Sequence, residues 1–138
     1  MKLSRTVSYA VQATVRLAEA ETSRPIPCSK LAAEGKMPER FLLQILRHLV
    51  THGILHSTRG VEGGYALVRS PDTISLLDIV EAIEGPLDAT SDTGQNGPPE
   101  QEVLLREALG KVARAAREQM AAIKLSDLTS RPNPLSSV

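Results

Sequence analysis

Residues 38–69 read as one amphipathic helix running straight into a short glycine-rich hairpin, and few folds accept that succession. On a wheel of about 100° per residue, Phe41, Leu42, Ile45, Leu46, Leu49 and Val50 fill one broad face, while Arg40, Gln44, Arg47 and Thr51 lie opposite. Pro38 suits the first helical turn, where its missing N–H has no partner to lose. Gly53 stops the helix, because glycine enters the left-handed region without steric cost. Two β-like segments follow, over 54–59 and 65–69, joined by Gly60-Val61-Glu62-Gly63-Gly64. A helix with a basic outer face beside a glycine-rich hairpin is how a winged helix-turn-helix addresses duplex DNA. The helix enters the major groove, and the hairpin lies along the backbone or in the minor groove.

The flanking sequence completes such a unit. Ser4 is placed to cap a first helix of about sixteen residues. Arg5, Ser8, Gln12, Arg16 and Glu19 form its polar stripe, with Val7, Tyr9, Ala10, Val11, Ala13, Val15, Leu17 and Ala18 buried on either side. Residues 21–27 form a turn with two prolines. Cys28 and Ser29 then open a short helix over 30–34, which Gly35 ends, giving helix, turn, helix. After the hairpin, Ser70-Pro71-Asp72 breaks the chain, and Ser75-Leu76-Leu77-Asp78 has the pattern of a capping box. That helix continues through Ile79, Val80 and Ile83 until Gly85-Pro86.

Residues 88–99 carry no apolar side chain larger than alanine and read as an exposed loop. From about residue 100 to 124 a long helix resumes, with Leu105, Leu109, Val112, Ala116, Met120 and Ile123 recurring at helical spacing. An apolar stripe beyond a complete small domain needs a cover. The simplest is the same helix of a second copy; the alternative is packing onto the first helix. The expected fold class is therefore mainly α with a small β-hairpin wing: a winged helix-turn-helix domain over 1–85 and a long dimerisation helix over 100–125. A loop over 86–99 joins them, and a tail over 126–138 follows.

Charge separates the two halves although the sum is zero. Residues 1–70 hold ten Lys/Arg and five Asp/Glu, a net of +5; residues 71–138 hold six and eleven, a net of −5. A basic front half suits a polyanion such as double-stranded DNA, and an acidic rear keeps other contacts with it weak. One Phe, two Tyr and no Trp leave too few rings for stacking single-stranded bases. The single cysteine excludes an internal disulfide framework and fits a reducing compartment. No apolar run is long enough for a membrane span and no leader is recognisable, so the expected location is the cytoplasm.

The run Arg59-Gly60-x-x-Gly63-Gly64-Tyr65-x-Leu67, preceded by Phe41-Leu42-x-Gln44-Ile45 and Gly53, resembles the IscR/NsrR/BadM family of bacterial regulators. Met1-Lys2-Leu3-Ser4, Tyr9-Ala10-Val11 and Leu77-Asp78-Ile79-Val80-x-Ala82-Ile83-Glu84-Gly85 resemble it as well. The resemblance spans about residues 1–87 and implies a homodimeric transcriptional regulator. It also implies that Arg59 enters a minor groove or grips phosphate while Gly60, Gly63 and Gly64 admit close backbone approach. Tyr65 is expected to buttress the wing. Arg40, Gln44 and Arg47 are the groove candidates: arginine pairs with guanine O6/N7, and glutamine with adenine N6/N7. Leu43 sits at the rim where several relatives are polar, so base preference is expected to differ. Lys2 is a candidate phosphate contact.

The chain departs from its best-known relatives in one respect. Those hold an iron–sulphur cluster on cysteines between the winged domain and the long helix. Residues 88–104 contain no cysteine, and a cluster needs several thiolates. No cluster, metal or other cofactor is therefore expected; Asp88, Asp92 and Glu100 read as parts of a solvated loop. His48 and His52 have zinc-chelating spacing, with His56 nearby, but they read as rim residues close to DNA. Cys28 at a helix start is either a thiol sensor with a lowered pKa or a plain capping cysteine. No nucleophile elbow, phosphate loop or carboxylate pair survives placement on these elements, so no enzyme is expected. The expected function is a repressor reading a near-palindromic operator, with its effector open. The competing readings are a winged-helix protein-interaction module and a Cys28 redox sensor.

Overall fold

In the computed structural model, which describes residues 2–20, 23–87 and 99–130, three helices precede the hairpin and two follow it. They are α1 (Arg5–Glu19), α2 (Cys28–Gly35), α3 (Glu39–Thr51), β1 (Leu55–Thr58), β2 (Gly64–Leu67), α4 (Leu76–Glu84) and α5 (Pro99–Ala122). Single 3-10 turns stand at Pro71–Thr73 and Leu125–Leu128. The loop expected over 88–99, with Asp88 and Asp92, falls almost wholly outside the described residues, as does the tail beyond residue 130. No described helix is long and apolar enough to cross a membrane.

Local chemistry sets most boundaries. The Ser4 hydroxyl accepts from the Val7 N–H at 3.2 Å and starts α1. Ser75 and Asp78 form a reciprocal capping box, at 3.0 and 2.9 Å, and start α4. Gly53, with φ 75°, follows the end of α3. The end of α2 differs from expectation. Gly35 stays helical, and Lys36 takes the left-handed position with φ 53°. A Cβ at Gly35 would meet Met37 Cε at 2.5 Å, the far end of a flexible side chain that can move aside.

The core gathers Ala10, Ala13 and Leu17 of α1, Leu31 of α2, and Leu42, Ile45, Leu46 and Leu49 of α3 around Ile54, Leu55, Ile74 and Ile79. Phe41 and Val50 flank it half-buried, and Phe41 meets Tyr9 edge-on with centroids 5.8 Å apart. Thr14 is buried on α1, and its hydroxyl donates to the Ala10 and Val11 carbonyls, both at 2.9 Å.

The core extends beyond the boundary expected at residue 85. Leu125, 0% exposed, belongs to it. Residues 123–125 lie antiparallel to 74–76: Leu76 N–H donates to Ile123 O and Leu125 N–H to Ile74 O, both at 2.8 Å. Ser130 donates from its backbone and hydroxyl to the Glu19 carboxylate at 2.6 and 2.8 Å. Arg117 pairs with Glu81 at 3.0 Å, tying α5 to α4. The far end of the long helix is thus built into the winged domain.

Candidate nucleic-acid interface

The helix pair arises locally. Lys36 turns the chain after α2, and Met37 N–H bonds back to Ala32 O at 2.9 Å. With Leu42, Ile45, Leu46 and Leu49 buried, α3 must present its other face. Arg40, Gln44 and Arg47 stand exposed on it, at successive turns, over about 10 Å of helix axis. Leu43 is half-buried at its edge.

The hairpin is fastened to the end of α3. Ile54 N–H donates to Leu49 O at 2.9 Å, and Val68 N–H donates to Ile54 O at 3.0 Å. The strands pair antiparallel from Leu55 with Leu67 to Thr58 with Gly64, so Arg59 leaves the sheet at the start of the turn. Gly63 N–H closes that turn on Gly60 O at 3.0 Å, with Gly60 at φ 113°. The other two glycines answer to crowding. A Cβ on Gly63 would strike the Thr58 carbonyl and sit 2.9 Å from the Arg59 carbonyl carbon. On Gly64 it would strike the Ile26 carbonyl and lie 2.6 Å from Pro27 N. Tyr65 is half-buried against the core, and its backbone exchanges two 2.9 Å hydrogen bonds with Ile26. The proline-flanked turn thereby adds an isolated bridge at Ile26 to the edge of β2, which sequence reasoning missed.

The cations divide into two sets. Arg16, Lys30, Arg69 and Arg117 have acidic partners within 4 Å. Among the described residues the other Lys and Arg have none; they include the exposed Lys2, Arg40, Arg47 and Arg59, which are the expected DNA contacts, and also Arg5, Arg24, Lys36, Arg106, Lys111, Arg114 and Lys124. Val61 at the tip of the turn is completely exposed, at 104%.

On α5 the expected stripe splits. Met120 is only 6% exposed and packs with Val7 and Val80, so it belongs to the chain's own interior and not to an outer seam. Ile123 is half-buried beside it, its carbonyl held by Leu76. Towards the start of the helix the stripe is bare: Leu105 is 40% and Val112 65% exposed, with Leu109 and Ala116 half-buried. Leu104 beside them is 66% exposed.

Of the two readings of Cys28, the structure favours the plain cysteine over the thiol with a lowered pKa. Its half-buried Sγ lies 3.7 Å from the Glu39 carbonyl, and burial, followed by the Glu39 charge, pushes the thiol above its ordinary value. The three histidines do not converge. His52 sits past the helix end with Nδ1 2.9 Å from His48 O, and His56 is on β1. Among the described residues no three His, Cys, Asp or Glu side chains gather as metal ligands.

Comparison with known proteins points in one direction. Residues 3–131 match the Rrf2 family, described as iron-dependent transcriptional regulators. A Mycobacterium tuberculosis protein named as a candidate HTH-type transcriptional regulator is 37% identical over 123 residues, 89% of this chain and 75% of that one. The HTH-type transcriptional regulator CymR of Bacillus subtilis is 28% identical over 130 residues, 94% of this chain and 91% of its own. The solved structure of that CymR, the global cysteine regulator of B. subtilis, superposes with a TM-score of 0.76 over 96% of this chain and 99% of that one. The structure of T. potens IscR superposes with a TM-score of 0.69 at 27% identity, over 93% and 85%. The iron in the family description does not fit a thiolate site in this chain, whose sequence holds one cysteine, on α2.

Proposed function

Because this chain belongs to the Rrf2 family of transcriptional regulators, we propose that it is a homodimeric repressor that reads a near-palindromic operator without an iron–sulphur cluster. It is a DNA-binding regulator with a winged helix, not an enzyme. The observation that carries the finer reading is the placement of exposed, unpaired arginines on one helix face and the adjacent wing turn. Arg40 and Arg47 on the outer face of α3, and Arg59 at the wing turn, have no anionic partner among the described residues. Phosphates and guanine edges supply what they lack. A protein-interaction module has no need of that arrangement beside a glycine turn.

In the reading we favour, Arg40, Gln44 and Arg47 enter the major groove. Arg59 takes the wing to the minor groove, Gly60, Gly63 and Gly64 let it lie close, and Lys2 holds a phosphate. Two copies join through the bare part of the α5 stripe, Leu105, Leu109, Val112 and Ala116. Their two-fold sets half-sites one or more helical turns apart. The protein works in the cytoplasm, where DNA is. The test is selection of a binding site from random duplexes, followed by anisotropy titration. A two-fold-symmetric site bound as tightly after chelator treatment is the expected result. No enrichment, or binding lost with iron, overturns the reading.

A further inference from the structure

We propose that the cavity at the root of the wing is a binding site for a small organic monocarboxylate. The cavity, about 320 Å³, opens where the end of α1 meets residues 23–26, the two strands and the chain leaving the wing at Arg69. That volume lies at the lower end of the range for small-molecule sites, roughly 300–1,000 Å³. Its floor is apolar, with Leu17, Ile26 and Ala66. Its rim carries Arg24, His56 and Arg69, and no Asp or Glu is among the described residues that line it.

The rim is positive, and its cations differ in how far they are engaged. Arg69 donates to Thr73 O at 3.2 Å and stands 3.5 Å from Asp78. Arg24 is exposed and has no hydrogen-bond or ion-pair partner among the described residues. A free guanidinium fork matches a carboxylate with two parallel N–H donors. Ser23, also on the wall, adds a hydroxyl donor. Two features narrow the ligand further. The apolar floor gives a fully hydrated inorganic anion nothing in return for its lost water. The carbonyl end of α1 lies on the same wall at Ala18 and Ala20, and its partial negative charge disfavours anions, a doubly charged one more than a singly charged one. A single carboxylate on a short apolar body satisfies both: the head on Arg24, the body against Leu17 and Ala66.

The cavity is walled by His56 of β1 and by Ala66 and Leu67 of β2, the strands that carry Arg59. A regulator of the kind proposed above would therefore meet its ligand behind its DNA-binding surface. Binding itself does not depend on that reading, so it is tested on the free protein. The 15N-labelled full chain is titrated with isovalerate, its uncharged isostere isovaleramide, and inorganic phosphate. Isovalerate should shift the amides of Ala18, Ile26 and Ala66 saturably, with Kd on the order of 1 mM for so small a probe. Isovaleramide, or Arg24→Gln titrated with isovalerate, should bind about ten-fold or more weakly. No saturable shift at those amides, equal binding of the amide, or undiminished binding by Arg24→Gln overturns the proposal. Phosphate binding at the same amides as tightly as isovalerate overturns the preference for a carboxylate.

Discussion

Replacing Gly64 by alanine tests whether the wing is anchored to the turn before α2. A Cβ at Gly64 would strike the Ile26 carbonyl and stand 2.6 Å from Pro27 N. Both are main-chain atoms, so no side chain can swing aside. Relief requires that residues 26–27 move away from β2, which breaks the two 2.9 Å hydrogen bonds between Ile26 and Tyr65. Each is worth about 1 kcal/mol net. The backbone at φ 151° is one that side chains rarely adopt, which adds about 1–3 kcal/mol. The expected loss is about 3–5 kcal/mol, a large part of a total stability of about 5–15 kcal/mol. Gly60→Ala is the control. It shares a positive φ, 113°, but its Cβ meets open space, so only the conformational cost of about 1–3 kcal/mol applies. Urea unfolding of both variants and the parent, at equal protein concentration, measures the difference. If Gly64→Ala unfolds within about 0.5 kcal/mol of the parent, or no earlier than Gly60→Ala, the anchoring argument fails.

Four further outcomes are expected. Arg59→Ala should weaken operator binding by more than about ten-fold at ~0.15 M salt while leaving the unfolding midpoint unchanged; unchanged affinity would remove the wing from recognition. Leu125→Ala should cost about 2–5 kcal/mol in urea unfolding, because the side chain is fully buried in the main core; a loss under about 1 kcal/mol would place it outside. Val112→Glu should yield monomers by analytical ultracentrifugation while far-UV circular dichroism stays unchanged; persistent dimers would move the seam elsewhere. Cys28 should react with a disulfide reagent more slowly than the same thiol in urea at pH 8. Its raised pKa leaves less thiolate, and the gap should close as pH rises; equal rates at pH 8 would contradict the burial.

The parts of the fold legible in the sequence are those with local causes. Ser4, Pro38, Gly53 and the Ser75–Asp78 box act within one helical turn, and each marks the boundary it was expected to mark to within a residue or two. The outer face of α3 was legible because period 3.6 fixes which side faces away. What escaped depends on contacts distant in sequence. Ile26 sits in a proline-flanked turn whose composition hides its pairing with Tyr65. Only the demand for glycine at 64 hinted at it. Gly35 looked like a helix stop, yet it stays helical and Lys36 takes the left-handed position. Met120 and Leu105 share one stripe of equal hydrophobicity, and periodicity cannot tell where the domain's own surface ends beneath it.

The pairing of residues 123–125 with 74–76 also orders events in time. During synthesis the winged domain leaves the ribosome before its last core side chain exists. A nascent chain lacking Leu125 carries a hole in its interior worth about 2–5 kcal/mol, and the missing pairing loosens residues 74–76 as well. When Leu125 arrives, the whole of α5 has already been made. Chains arrested before residue 125 should accordingly be cut quickly by protease, and chains arrested well past it should resist. On the proposed function, the surface that would grip an operator therefore firms up only after the helix proposed to recruit a second copy has been made, and unfinished chains should occupy promoters poorly.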